Sequence, residues 1–108
     1  MTIYARNASQ ADTLRDQYLQ QVRARIEKNQ RYPLAARKLG QEGRVLVRFV
    51  AAADGGLEEM ELGESCGIRS LDEAALAAVR AAAPFPATPK EVFPDSAAMQ
   101  IAVAFALR

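Results

Sequence analysis

"RVLVRFVAAADGGLEEMEL", Arg44 to Leu62, is the stretch from which the fold follows. Val45, Val47 and Phe49 alternate with Arg44, Leu46 and Arg48, a period of two that suits a strand with one polar face. Ala53-Asp54-Gly55-Gly56 supplies residues that tolerate positive φ, so it reads as a hairpin turn. The chain then returns as a second strand over Leu57–Leu62, after a first over Arg44–Ala51. In that return the apolar positions move from odd (Leu57) to even (Met60, Leu62), and the change of parity marks a bulge.

Upstream, Leu14, Tyr18, Val22 and Ile26 recur every four residues with Leu19 beside them, while Arg15, Asp16, Arg23, Glu27 and Lys28 fall on the opposite side. This stripe predicts an amphipathic helix from about Ser9 to Asn29. Pro33 limits it, because proline disfavours helical geometry at the residue before it. Pro33-Leu34-Ala35-Ala36-Arg37-Lys38-Leu39-Gly40 restarts as a short turn, with Pro33 at its first position and Gly40 as its stop. Residues 1–9 are expected to be a flexible N-terminal segment and residues 10–108 a single domain.

Downstream, Ser70 and Glu73 have the spacing of a capping box, and Leu71, Ala75, Ala78, Val79 and Ala82 make a narrow apolar face. Alanine buries little area, so that face serves to bring the helix close to a sheet. Pro84, Pro86 and Pro89 give a stiff extended connector. A third strand is expected over Met99–Leu107: Met99, Ile101, Val103, Phe105 and Leu107 face one way, Gln100, Ala102, Ala104 and Ala106 the other.

These elements predict an α+β fold of two layers, a three-stranded antiparallel/mixed sheet in the order 2-1-3 with two helices packed on one face. The crossover helix steps over strand one to place strand three at an edge. The expected core comprises Tyr18, Val22, Ile26, Val45, Val47, Phe49, Leu71, Val79, Ile101, Val103 and Phe105.

Composition removes most chemistries. The 108 residues contain no histidine and one cysteine, so the usual general base, the commonest zinc ligand and any internal disulfide are absent. No acid–base pair at a workable spacing is evident, so the reading is not an enzyme and takes no cofactor or metal. No run of ~18 apolar residues spans a membrane. Charge is divided: residues 1–48 hold ten basic and four acidic side chains, residues 49–108 four and nine. A basic half suits an anionic glycan or an acidic protein surface, or is simply a solvated helix face. Nucleic acid is disfavoured by the lack of stacking aromatics near the basic residues.

Three features remain as candidate sites. Glu58, Glu59, Glu61 and Glu64 lack calcium-loop spacing and read as a charged strand that discourages association. Tyr32-Pro33 either orients the first helix or holds an exposed contact loop with Asn29, Gln30 and Arg31 as donors. Strand three carries no charge or proline from Ala97 to Leu107, the devices that usually blunt an edge, so a partner's extended segment can add to it. The partner-binding residues are then Asn29, Gln30, Arg31, Tyr32 and Pro33 with Met99, Gln100, Ile101, Ala102, Val103, Ala104 and Phe105.

The order of several motifs resembles the C-terminal domain of the TonB family of energy transducers. Tyr32-Pro33-Leu34-Ala35-Ala36-Arg37 is similar to its YPxxA joint, Gln41-Glu42-Gly43-Arg44-Val45-Leu46-Val47-Arg48-Phe49 to its xEGxVxVxF strand, and Asp54-Gly55 with Leu57 to its DGxV turn. Ser65-Cys66-Gly67 stands where SSG is common, and Leu71-Asp72-Glu73-Ala74-Ala75 and Pro84-Phe85-Pro86 resemble its LDxAAL and PFP segments. The resemblance implies a periplasmic domain of an inner-membrane-anchored protein. Family members are tethered by a transmembrane helix, which associates with the ExbB–ExbD motor, and a proline-rich linker; neither lies within these residues. The domain captures the TonB box of an outer-membrane transporter beside its last strand and passes on proton-motive-force energy for uptake of iron-siderophore, haem or similar substrates. The segment before Tyr32-Pro33 would contact the transporter plug. A TolA-like periplasmic domain of a Tol–Pal system and a peptidoglycan- or anionic-glycan-binding module are the alternatives, and a homodimer through the strand-three edge is a further expected partner.

Cys66 is read as a small packed residue in the turn before a helix. Cys66→Ser is therefore expected to keep both fold and partner binding. Loss of binding in a variant whose circular dichroism is unchanged would assign the thiol a role.

Overall fold

The computed structural model describes residues 12–107 in full and the backbone alone of residues 2–11. The flexible segment expected over residues 1–9 lies outside the fully described residues. In chain order the elements are α1 (Thr2–Lys28), α2 (Leu34–Lys38), β1 (Gly43–Ala52), β2 (Leu57–Glu64), α3 (Arg69–Ala82) and β3 (Ser96–Phe105). The sheet runs β2-β1-β3 with β1 antiparallel to both neighbours, the expected order. Every expected core residue is buried, joined by Ala36, Ala51, Ala75, Ala78, Ala82, Phe85, Ala97 and Met99. Strand pleating explains the selection. On β1 the odd positions Val45, Val47, Phe49 and Ala51 are buried and the even ones are not; on β3 the odd positions from Ala97 to Phe105 behave alike. The stripe Tyr18, Val22 and Ile26 of α1 and the alanine-rich face of α3 close over these odd positions.

The hairpin forms as its residues require. Gly55 has φ 97°, the Gly55 N–H donates to Ala52 C=O at 2.8 Å, and Gly56 N–H donates to Asp54 Oδ1 at 2.9 Å. The β1–β2 register shifts between Val50 and Ala51, which leaves Glu58 as the expected bulge. A second shift between Leu46 and Val47 lies at Gly63 and was not expected. It is built around a close approach: a Cβ on Gly63 would stand 3.1 Å from the Leu46 carbonyl oxygen.

One expectation is corrected. The Ser70–Glu73 capping box does not form, because α3 begins at Arg69 with Ile68 as its N-cap and no side chain capping it. Glu73 instead pairs outward with Arg69 at 3.0 Å. Asp72, inside the first turn, holds the preceding loop: its carboxylate accepts from the Cys66 N–H at 3.1 Å and from the Ser65 hydroxyl. Burial acts to raise the Asp72 pKa, but the bonds from Ser65 and Cys66 outweigh it and hold the carboxyl below its ordinary value. The negative charge sits at the positive end of α3.

The proline connector is tied to its neighbours at several points. It lies across the hairpin tip and the side of α1. Phe85 N–H donates to Gly55 C=O at 2.8 Å and Thr88 N–H to Ala53 C=O at 3.1 Å. The Phe85 ring stacks on Phe49 with centroids 5.4 Å apart, an arrangement worth about 0.5–1.5 kcal/mol beyond area burial. From α1, the Tyr18 hydroxyl donates to Pro86 C=O at 2.9 Å, and Arg25 donates to the carbonyls of Ala82 and Pro84 at 3.2 and 2.9 Å. Prolines cannot donate from their backbone, so the connector is held through its carbonyls and the amides between them.

The contact at Gly55 leaves no room for a side chain, since an ideal Cβ there would lie 1.8 Å from the Phe85 carbonyl oxygen. Gly55→Ala must therefore move the connector as well as strain the turn, and is expected to cost more than about 2 kcal/mol in urea unfolding. Gly40, with φ 67° and open space around it, is the control: its alanine variant meets only the backbone strain of about 1–2 kcal/mol. Equal losses for the two variants would show that the connector yields freely.

Candidate functional site: the free edge of strand three

The sheet has two edges of different character. The β2 edge is interrupted by the shifts at Glu58 and Gly63, and Glu58, Glu59, Glu61 and Glu64 are exposed along it. The β3 edge is continuous, in unbroken register with β1 from Ala52↔Ser96 to Gly43↔Phe105. It carries no charge or proline between Ala97 and Leu107. Bulges and charge are the usual defences of an edge, and here β2 has both and β3 neither.

Two hydrogen bonds fix which backbone groups of β3 face outward. Ala52 on β1 donates its N–H to Gly56 C=O at 2.7 Å and accepts from Gly55, so even residues of β1 point toward β2. Odd residues of β1 then point toward β3, where they meet odd partners such as Val47↔Ile101 and Phe49↔Met99. The outward N–H and C=O groups of β3 therefore belong to Ser96, Ala98, Gln100, Ala102 and Ala104. The Gln30 side chain agrees: its Nε2 donates to the Ala104 carbonyl at 2.7 Å, from outside the sheet. The parity was not legible in the sequence, because hydrophobic alternation gives the face of each side chain but not the direction of each amide.

The structure distributes the expected site residues over several tasks. Met99, Ile101, Val103 and Phe105 have edge backbones with buried side chains, while Gln100, Ala102 and Ala104 turn to the uncovered face. Gln100 Oε1 accepts there from Arg48 Nε at 3.0 Å. Asn29 caps the end of α1, donating from Nδ2 to Arg25 C=O at 2.8 Å. Arg31 is exposed, and Pro33 is the N-cap of α2. Tyr32 packs edge-on against Phe105 with centroids 5.5 Å apart, and its hydroxyl donates to Gln41 C=O. Burial, with the Glu42 carboxylate adding to it, pushes the Tyr32 phenol above its ordinary pKa and keeps it a donor. So the Tyr-Pro joint anchors the end of β3, and Asn29 and Gln30 each commit a donor inside the domain.

Sequence reading missed Ser96, Ala97 and Ala98, although Ala97 continues the odd parity of Met99. It also missed α1 as a wall of the site. Arg23, Ile26, Glu27 and Gln30 line a groove of about 90 Å³ with Ile101, Ala102, Val103 and Ala104. A larger hollow of about 720 Å³ lies on the uncovered sheet face beside Arg48, Val50, Glu59 and Glu61. It is crossed by the Arg48–Gln100 bond and a loose Arg48–Glu61 pair at 3.9 Å, so its polar groups are turned to one another. Among the described residues no cluster of His, Cys, Asp or Glu can hold a metal, and no helix is long and apolar enough to cross a membrane.

The family described as Gram-negative bacterial TonB protein C-terminal matches residues 28–107. The protein TonB of Haemophilus influenzae is 37% identical over 84 residues, covering 78% of this chain and 31% of its own length. That of Helicobacter pylori is 31% identical over 93 residues, again covering 31% of its length. The chain thus spans about a third of the relatives it matches. Among solved structures, the Helicobacter pylori TonB C-terminal domain aligns with a TM-score of 0.74 at 30% identity, over 85% of this chain and 82% of that one. The C-terminal domain of HasB aligns at 0.57 and 28% identity, over 84% and 70%.

The amide parity makes a proline scan decisive. Proline at Ala98, Gln100 or Ala102 removes one outward donor, leaves the ladder to β1 intact and is expected to keep the fold. Proline at Ile101 or Val103 breaks a bond to β1 inside the core and is expected to unfold the domain. Far-ultraviolet circular dichroism and thermal melts separate the two sets, and unfolding of the even set would show the parity reversed.

Proposed function

The chain belongs to the TonB C-terminal domain family, and from that membership we propose that it binds the TonB box of an outer-membrane transporter by adding it as a fourth strand along β3. In this reading the domain works in the periplasm and belongs to a protein anchored in the inner membrane. It passes proton-motive-force energy from an ExbB–ExbD motor to the transporter for uptake of iron-siderophore, haem or similar substrates. The chemistry required is mechanical: a ladder of main-chain hydrogen bonds that holds under load and releases afterwards. No general base, nucleophile or metal takes part.

One observation carries the proposal. Outward amides and carbonyls at Ala98, Gln100 and Ala102 lie on an uncharged strand edge of unbroken register while the opposite edge is bulged and acidic. Strand addition depends on unpaired backbone groups in regular register, and those are available on β3. The Tyr32–Phe105 contact and the Gln30–Ala104 bond hold the segment before Tyr32-Pro33 against the end of that edge. In this reading exposed Arg31 and the exposed Leu34 of α2 are the side chains offered to a transporter plug.

Titration of the labelled domain with TonB-box peptides tests the reading by NMR. The amides of Ala98, Gln100 and Ala102 are expected to shift and gain protection from exchange. Each ladder bond contributes about 0.5–1.5 kcal/mol net, so Ala102→Pro, which also obstructs the strand, is expected to weaken binding about tenfold or more. Shifts confined to α2 and the basic residues around it, with β3 silent, would move the site away from the edge.

A further inference from the structure

Arg23 and Glu27 stand on the groove wall with no assigned task. α1 runs alongside β3 in the same direction: Tyr18 lies against Phe93, just before the strand, with centroids 5.9 Å apart, and Gln30 reaches Ala104 near the strand's end. Arg23 and Glu27 fall between these points and line the groove beside Ile101 to Ala104. Both are exposed, and among the described residues neither takes part in an ion pair.

A strand added to β3 continues its pleat, because directly paired residues share a face. Its residues level with Ile101 and Val103 turn to the helix side and meet α1; the residue between them turns to the open face. The direction of α1 brings the residue level with Ile101 toward Arg23 and the residue level with Val103 toward Glu27. The spacing agrees. Four residues of helix advance about 6 Å, and two residues of strand about 6.7 Å.

We propose that Arg23 and Glu27 select the incoming segment by charge, favouring an extended peptide that carries an acidic and a basic side chain at alternate positions on one face. This rests on strand addition at β3 and names the chemistry of the strand that is added. A second copy of this chain fits less well. Its β3 presents Met99, Ile101 and Val103 on that face, with no charge to meet Arg23 or Glu27, and brings its own α1 into the same space.

The test uses the full chain and three short β-forming peptides: one with Asp and Lys at alternate positions, one with the two exchanged, and one with Asn and Gln in their place. Affinities are measured by calorimetry, and binding at β3 is followed through the amides of Ala98, Gln100 and Ala102. The natural chain is expected to prefer one charged order over the other by about fivefold, as exposed pairs of this kind contribute. The double variant Arg23→Glu with Glu27→Arg is expected to prefer the opposite order by a similar factor. High salt is expected to remove both preferences. Equal affinities for all three peptides, unchanged by the double variant and with β3 amides still shifting, would overturn charge selection and leave strand addition standing. Silent β3 amides with every peptide would overturn strand addition itself. A free chain that sediments as a dimer, and becomes a monomer on Ala102→Pro, would assign the edge to a second copy and overturn the proposal.

Discussion

On an antiparallel strand, the parity that turns a side chain to one face also turns its amide and carbonyl to one edge. On β3 this geometric tie has a single outcome. Odd residues from Ala97 to Phe105 put side chains into the core and backbone groups toward β1. Even residues put side chains on the uncovered face and backbone groups toward the open edge. Folding and edge chemistry are thereby divided between alternate residues of one segment. The small even residues Ala98, Ala102 and Ala104 leave the edge sterically clear, while Ile101, Val103 and Phe105 hold the strand in place.

The groove beside that edge is walled by the second half of α1, which is tied to its neighbours at several points. Tyr18 bonds to the Pro86 carbonyl and Arg25 to those of Ala82 and Pro84, and the connector is in turn bonded to the hairpin tip at Ala53 and Gly55. Near the end of β3, Asn29 closes the helix, Gln30 bonds to Ala104, and Tyr32 packs on Phe105. The connector that looked in sequence like a spacer is therefore part of what positions the site. Gly55 is the point where hairpin and connector come closest.

Period-two and period-four patterns made the layers legible, because the burial of Val45, Val47, Phe49, Ile101 and the α1 stripe depends on nothing but alternation and a one-sided core. The hairpin turn and the bulge near Glu58 were legible for the same reason. The capping box was not: Ser70 and Glu73 have the right spacing, but the loop from Ser65 to Cys66 binds Asp72 and α3 starts two residues earlier, with Ile68 as its N-cap. The second bulge at Gly63 has no signature beyond a glycine. The site was half legible. Absence of charge and proline pointed to the β3 edge, yet its amide parity follows from the hairpin closure at Ala52, and the placement of Arg23 and Glu27 on the groove wall follows from the path of α1. Such facts arise from tertiary placement and leave no trace in a local window.

An open edge is a hazard for aggregation, and its survival here has a modest energetic cost. Amides at Ala98, Gln100 and Ala102 bond to water while the edge is free, so pairing exchanges one set of bonds for another and contributes about 0.5–1.5 kcal/mol at each. A short ladder can therefore supply only a few such increments, from which the ordering of a flexible peptide must be subtracted. Under the proposed role that balance is useful, since a strand that transmits force must also detach. It also means that backbone pairing cannot distinguish one peptide from another. Discrimination has to come from side chains, and on this edge the uncovered face offers an incoming strand only alanines, Gln100 and open solvent. The helix side, walled by α1, is where a partner's side chains meet fixed groups.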